Sequence, residues 1–310
     1  MGDLVLTLPT DQLASLSGAE VDWWIPQGLG FIAQHSEPPR ACLEIARKIG
    51  IRQWIQLLFF LHRKRYDAAL VFHAPWWVNA LIWAARIPIR VGNKSQWHSY
   101  LFLNRGLRQK RSQVAMHELD YNYQLARQVF EGEAPTPYLK LSWPKSIDPA
   151  KRALLPHHYI VVHPGMGGSA LNWPTSHYLE LIQKISHTSE VVITGTKADA
   201  AYLAPLKEAL QNSQRIRFLD GEFSGEELLW VLHGASAVLA PSTGVLHLAA
   251  SLGVPTLGLF SPNKVESIER WGPKGERVKA ISAASMDLID PISIYNELTK
   301  IQVLQKSSTD

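Results

Sequence analysis

The chain is 310 residues long, 46 % hydrophobic and 19 % charged, with a formal net charge of +4 and a single cysteine, Cys42. Those figures describe a globular protein long enough for two cores, and they exclude a disordered or low-complexity chain, an intramolecular disulfide and a Cys-rich zinc module. A basic segment, apolar core and small-residue cleavage site do not follow one another at the start, so no signal peptide is expected.

The opening, MGDLVLTLP, sets an acid, Asp3, at the head of an apolar stretch. Beyond it, runs rich in Val, Ile and Leu alternate with amphipathic stretches, the pattern of βα units around a parallel sheet. Strands are expected at 19–25, 68–72 and 89–92, and helices near 41–65, 76–86 and 115–130. The longest apolar run, 68–85, is interrupted by His73, Pro75 and Asn79 and makes a poor membrane span. Prolines 135, 137, 144, 149 and 156 then mark a linker without sustained periodicity.

A second series follows, with strands expected at 159–163, 190–194, 216–219, 237–240 and 256–260 and helices starting near Thr175, Asp199, Ser224 and Thr243. An amphipathic stretch at 286–304 closes the chain as a helix. The fold expected is α/β, two Rossmann-like domains whose parallel sheets face a central cleft. The first covers 1–145 and the second 146–285, and the helix within 286–310 packs back on the first.

The strongest local signal is VLAPSTGVLHLAASLGVPTLGLFSP at 238–262. A strand running into Pro241-Ser242-Thr243-Gly244 and then a helix presents unpaired amides and a positive dipole end, an anion site suited to a pyrophosphate. Gly244 admits close approach, Ser242 and Thr243 can cap or donate, and His247 lies one turn on. A plain N-cap with a core histidine fits the same residues equally well. A second loop, VVHPGMGGSALNWP at 161–174, is glycine-rich at a strand's carboxyl end. It has neither the dinucleotide fingerprint nor the Walker lysine, which disfavours a dehydrogenase or a P-loop NTPase.

His163-Pro164-Gly165, Asn172-Trp173-Pro174, VVITGT at 191–196, LDGEFSGEEL at 219–228 and the 242–262 segment, taken in order, resemble glycosyltransferase family 9. These are the ADP-heptose:lipopolysaccharide heptosyltransferases of Gram-negative bacteria. GDLVLTLP is similar to the family's first segment, and the stretch 92–122 to its acceptor region. The resemblance implies a GT-B architecture, a nucleotide-sugar donor (ADP-heptose) on the second domain, and inverting transfer without metal or cofactor to a lipid-linked core oligosaccharide. It assigns the base that deprotonates the acceptor hydroxyl to Asp3. To the donor it assigns His163, Gly165, Gly167, Ser169, Thr194, Gly195, Ser242, Thr243, Gly244, Val245 and His247.

Three departures accompany it. Family members begin with a full strand before the GD segment, so a first strand is expected to be missing, through a start assigned late or a shortened chain. Ser242 stands where many members have Asp, and Leu171 where a basic residue is common. Two other readings stay open: a same-fold transferase using another nucleotide sugar on a different envelope glycan, and a non-catalytic protein binding sugar nucleotides or anionic lipid.

Charge is unevenly spread. From Arg40 to Arg111 there are fourteen Lys or Arg against two acids, Glu44 and Asp67. Lys94, Arg105, Arg108, Lys110, Arg111 and His117 form the expected acceptor-attracting group. Upstream, Trp54 and Phe59-Phe60 beside Arg63-Lys64-Arg65 suit an anionic membrane surface. No nucleic-acid motif is present. The single cysteine fits a reducing cytoplasm, and the resemblance, with its lipid-linked acceptor, implies a protein peripheral on the inner membrane.

Overall fold

The computed structural model describes residues 1–133, 138–166 and 171–306. The chain divides into two compact units, one of Leu6–Gln34 and Arg40–Pro137, the other of Met1–Val5, His35–Pro39 and Tyr138–Asp310. The boundary thus falls near 137, and two N-terminal pieces join the second unit. One is α1 (Gly2–Val5), whose Leu4 and Val5 are buried. The other is tied in by backbone hydrogen bonds, Glu37 N to Lys140 O at 2.9 Å and Ser142 N to His35 O at 2.7 Å.

The N-terminal unit carries α2 (Asp11–Leu16), β1 (Trp23–Pro26), α3 (Gly30–Gln34), β2 (Cys42–Ile45), α4 (Ile51–Lys64), β3 (Ala68–Val71), α5 (Trp76–Ala84), β4 (Ile89–Asn93), α6 (Trp97–Phe102), β5 (Arg105–Leu107) and α7 (Glu118–Ala126). All pairings are parallel, but the strands form two sheets, β1-β2 and β3-β4-β5. Trp23 of β1 stacks on Phe72, just beyond β3, with ring centroids 6.3 Å apart. The helix expected over 41–65 is a strand followed by a helix. Glu44 in β2 accepts from the amides of Gly28 at 2.9 Å and Gly30 at 2.6 Å, which fixes that segment extended. After Gly50 in extended conformation, α4 buries Leu61 and packs Trp54, Leu57 and Leu58 toward the core before Arg65 ends it in the left-handed region.

The second unit continues with α8 (Pro149–Ala153), β6 (Tyr159–Val162), α9 (Thr175–Ser186), β7 (Glu190–Gly195), α10 (Ala200–Leu210), β8 (Ile216–Asp220), α11 (Gly225–His233), β9 (Ala237–Pro241), α12 (Gly244–Ser251), β10 (Thr256–Phe260), α13 (Ile268–Trp271), β11 (Val278–Ser282) and α14 (Pro291–Lys306). Its six strands pair in parallel in the order β11-β10-β9-β6-β7-β8. Every residue of β6, β9 and β10 is buried, as strands covered by helices on both faces require. Trp173 is fully buried and donates from Nε1 to Ile289 O at 2.9 Å. The closing helix corrects one expectation. Ile294 and Leu298 of α14 are buried in the core of this unit, with α14 against α9, so its apolar face belongs here rather than on the first domain.

Leu298 is 1 % exposed. Leu298→Ala should therefore destabilise the protein by about 2–5 kcal/mol, read as a lowered midpoint in urea unfolding, if α14 is an integral layer.

Candidate functional site

In the six-stranded sheet the chain leaves β6 toward β7 and β8 and then returns to the other side, to β9. Neighbouring loops therefore diverge at the carboxyl ends of β6 and β9 and open a crevice there. Three segments meet at this edge: His163 after β6, Thr194-Gly195 closing β7, and Ser242-Thr243 after β9.

The turn after β9 is held by Ser242 N, which donates to Leu259 O of β10 at 3.1 Å. Thr243 is extended, at φ −132° and ψ 169°, and its side chain makes no capping hydrogen bond to α12. Its hydroxyl is buried and has no hydrogen-bond partner among the described residues. The first-turn amides of α12, from Gly244 and Val245 onward, thus lack the usual side-chain cap, and the dipole end is available to an anion.

Against this helix start lies α1. A Cβ on Gly244 would fall 2.5 Å from Met1 Cβ, and one on Gly2 would fall 2.9 Å from Cδ2 of His247. Only glycine allows contacts this close at both places. His247, 3 % exposed, is thus the platform on which α1 sits. Asp3 follows on the exposed side of the same turn. The α-amino group of Met1 is pushed below its usual pKa by burial, with the Asp3 carboxylate acting in the opposite direction.

The loop after β6 is rigid at its root. His163 is buried, its Nδ1 lies 3.0 Å from Thr194 Oγ1, and burial lowers its pKa to about 4 against the opposing pull of Asp199. It is therefore neutral at pH 7. Gly165 is needed because a Cβ there would fall 2.2 Å from the Asp199 carboxyl group. At Gly195 a Cβ would meet Leu203 Cδ1 at 2.6 Å, a packing constraint. Gly167 and Ser169 lie outside the described residues. Asn172 anchors the far end, donating to Pro164 O at 2.6 Å and accepting from Trp173 N at 2.9 Å. Leu171 is exposed.

Sequence reading set a helix start at Asp199 but gave it no part in the site. Its Oδ2 accepts from Thr196 N at 2.8 Å and Thr196 Oγ1 at 2.7 Å, a capping box before α10. The Thr-x-x-Asp spacing was the available signal.

The basic residues of the N-terminal unit separate into two groups. Arg108 and Lys110 are exposed and line a cavity of about 360 Å³ together with Gln109, Gln113, Tyr121 and Gln124. Lys94 is half-buried after β4, and Arg105 is exposed, with Nη1 donating to Gln128 O at 3.2 Å. Arg111 and His117 behave otherwise, which corrects their placement among the acceptor-attracting group. Arg111 is buried in an ion pair with the fully buried Glu118 and donates to Gln109 Oε1 from Nε at 3.1 Å and Nη2 at 2.7 Å. His117 is the buried N-cap of α7, Nδ1 accepting from Leu119 N at 3.2 Å.

Comparison with known proteins gives a family and a fold. The family model described as glycosyltransferase family 9 (heptosyltransferase) matches residues 54–290. Lipopolysaccharide heptosyltransferase 2 of Salmonella typhimurium is 26 % identical over 254 residues, 76 % of this chain and 71 % of that one. Lipopolysaccharide heptosyltransferase 1 of the same organism is 23 % identical over 324 aligned positions, 96 % of each chain. In fold, the chain superimposes on Escherichia coli ADP-heptose LPS heptosyltransferase II with a TM-score of 0.78 at 20 % identity, covering 98 % of this chain and 96 % of that one.

Two outcomes follow from the buried groups. A histidine kept neutral by burial binds fewer protons than in the unfolded chain, so its contribution is present above pH 6.5 and lost as the pH falls toward 4. Unfolding free energy should drop by up to ~3 kcal/mol across that window, and His163→Asn should flatten the drop. Glu118→Gln leaves the Arg111 guanidinium buried without its counter-charge and should cost about 3–5 kcal/mol in denaturant titration.

Proposed function

The chain belongs to glycosyltransferase family 9, the heptosyltransferases, and from that premise we propose that it moves heptose from ADP-heptose to a lipopolysaccharide inner-core acceptor, with inversion and without a metal. The observation that supports this most is the α12 start at the sheet's switch point, uncapped by Thr243, with the helix bearing Asp3 packed on it in the same unit.

In this reading the amides of Gly244 and Val245 and the hydroxyl of Thr243 receive the donor's diphosphate, and Ser242 lies beside them. The lone pair of an acceptor hydroxyl forms the new bond to the anomeric carbon from the side opposite the diphosphate. The bonding pair leaves with the diphosphate oxygen, and the hydroxyl proton passes to the Asp3 carboxylate. Charge growing on the departing diphosphate is stabilised by fixed dipoles that need no rearrangement. His247 acts one step back, holding α1 and therefore Asp3. His163 supplies no charge and, through Thr194, fixes the root of the donor loop. Arg108 and Lys110, with Lys94 and Arg105, attract the anionic, lipid-linked core oligosaccharide. That acceptor sets the place of work at the cytoplasmic face of the inner membrane. None of the helices among the described residues is long and apolar enough to cross a membrane.

A second reading, transfer of another nucleotide sugar to a different envelope glycan, is favoured by Ser242 and Leu171, which bring no charge to the donor loops. Thermal shift separates the two, because the donor that binds well below its working concentration raises Tm and the others do not. With ADP-heptose and a deep-rough acceptor, Asp3→Asn should lower kcat by about 10²–10⁴-fold while leaving the donor Kd unchanged, and a chelator should leave turnover unaltered. Wild-type kcat in the Asp3→Asn protein would remove the base assignment. A Tm that no ADP-sugar raises would remove the donor assignment.

A further inference from the structure

Three helices of the N-terminal unit, α4, α5 and α6, lie side by side, α5 contacting both neighbours. The first two have an inward face in the core, with Leu61 from α4 and Trp77, Val78, Leu81 and Ile82 from α5, and Leu103 joins it just after α6. Each of the three also carries an apolar stripe that points outward. On α4, Ile51, Ile55 and Phe59 recur at i, i+4 and i+8, with Ile51 72 % and Phe59 64 % exposed. On α5, Trp76 and Trp83 sit seven residues apart, on the same side, at 55 % and 53 %. On α6, Trp97, Tyr100 and Leu101 repeat the pattern at 66 %, 55 % and 63 %.

Scattered exposed apolar side chains need no explanation, but outward stripes on three adjacent helices do. The sequence expectation had set Trp54 in such a surface. It packs toward the core instead, and the exposed role falls to the Ile51-Ile55-Phe59 side.

Charge indicates what covers the stripes. The sequences of α4, α5 and α6 contain no Asp or Glu. Arg52 and Arg63 are exposed on α4 along the flank of its stripe, and Arg65, Arg86 and Arg105 are exposed at or just beyond the helix ends. Tryptophan and tyrosine favour the boundary between water and lipid, and arginines flanking an apolar helix face reach anionic headgroups while the face enters the acyl boundary. A protein partner would be expected to bring aromatic pockets and acids in a set arrangement, whereas a broad layer with cations all round it fits a fluid anionic surface.

We propose that the outer face of α4, α5 and α6 docks on an anionic lipid bilayer, with Ile55, Phe59, Trp83 and Trp97 entering the headgroup boundary and Arg52 and Arg63 holding phosphates. This names the face by which the transferase read above reaches its lipid-linked acceptor, and it rests on that reading for its purpose but not for its test.

The test is co-sedimentation of the full chain with vesicles of phosphatidylcholine alone or with phosphatidylglycerol, without donor or acceptor. Binding should require phosphatidylglycerol, weaken as salt is raised, and shift tryptophan emission to shorter wavelength. Ile55→Asp with Phe59→Asp should weaken it at least ~tenfold. Arg52→Glu with Arg63→Glu should abolish the preference for phosphatidylglycerol. Ile292→Asp, an equally exposed apolar position on α14, should leave binding unchanged. Thermal unfolding of each variant confirms that it is folded. Equal binding of the wild type to both vesicles, or of the Ile55/Phe59 variant and the wild type, overturns the proposal. So does a dimer in sedimentation equilibrium that the same substitutions dissociate, since a second copy would then be what covers the face. Vesicle binding without sugar transfer would keep the lipid face and refute the transferase reading.

Discussion

Backbone amides at the start of α12 set the terms for everything else in the second unit. A parallel sheet whose chain departs in both directions from β6 opens a crevice between β6 and β9, and there the helix after β9 presents its first turn. Because Thr243 leaves its hydroxyl unspent on capping, those amides keep their capacity for a ligand. Two glycines then bring a second short helix against the first. The acid of the opening segment therefore belongs to the same compact unit as that helix start.

Much of the second unit was legible because its strands are covered on both faces. Continuous apolar runs such as YIVV and TLGLF, bounded by Gly and Pro, can hardly be anything but buried parallel strands. The elements that escaped are those in which a polar residue serves the backbone or the edge. In β2 the sequence CLEI reads as part of a helix until Glu44 is seen holding two amides of the preceding turn. In β11, VKAIS pairs on one side only, and Lys279 reaches Glu297 of α14 across a separation no local pattern reports.

Charge was legible in sum but not in use. The basic stretch from Arg40 to Arg111 lies wholly within the N-terminal unit, as a count of residues can show. A count cannot show that Arg111 is neutralised by Glu118 in the interior, or that Arg40 is paired with Asp11 at 2.6 Å. The burial of both partners turns these cations into structural groups, since an isolated charge at either place would be prohibitively costly. The surface keeps, among others, Arg108 and Lys110 at their cavity and the arginines around α4, α5 and α6. The same segment that reads as one basic patch therefore divides into interior staples and exterior attractors.

That division has a counterpart at the proposed donor site, where formal charge is scarce. His163 is neutral, Ser242 and Leu171 are neutral, and Asp199, a buried acid near the loop, is occupied in closing its own turn. Under the proposed reading, a diphosphate would be held by dipoles and hydroxyls rather than by cations. A fixed cation would also stabilise the departing diphosphate, but it attracts most strongly the fully charged nucleotide product and so slows its release. Oriented amides at a helix start act over a shorter range and reward most strongly the oxygen on which charge accumulates as the sugar departs. A neutral cradle is therefore suited to letting the spent nucleotide go, while the cations are concentrated in the unit proposed to meet the lipid-linked acceptor.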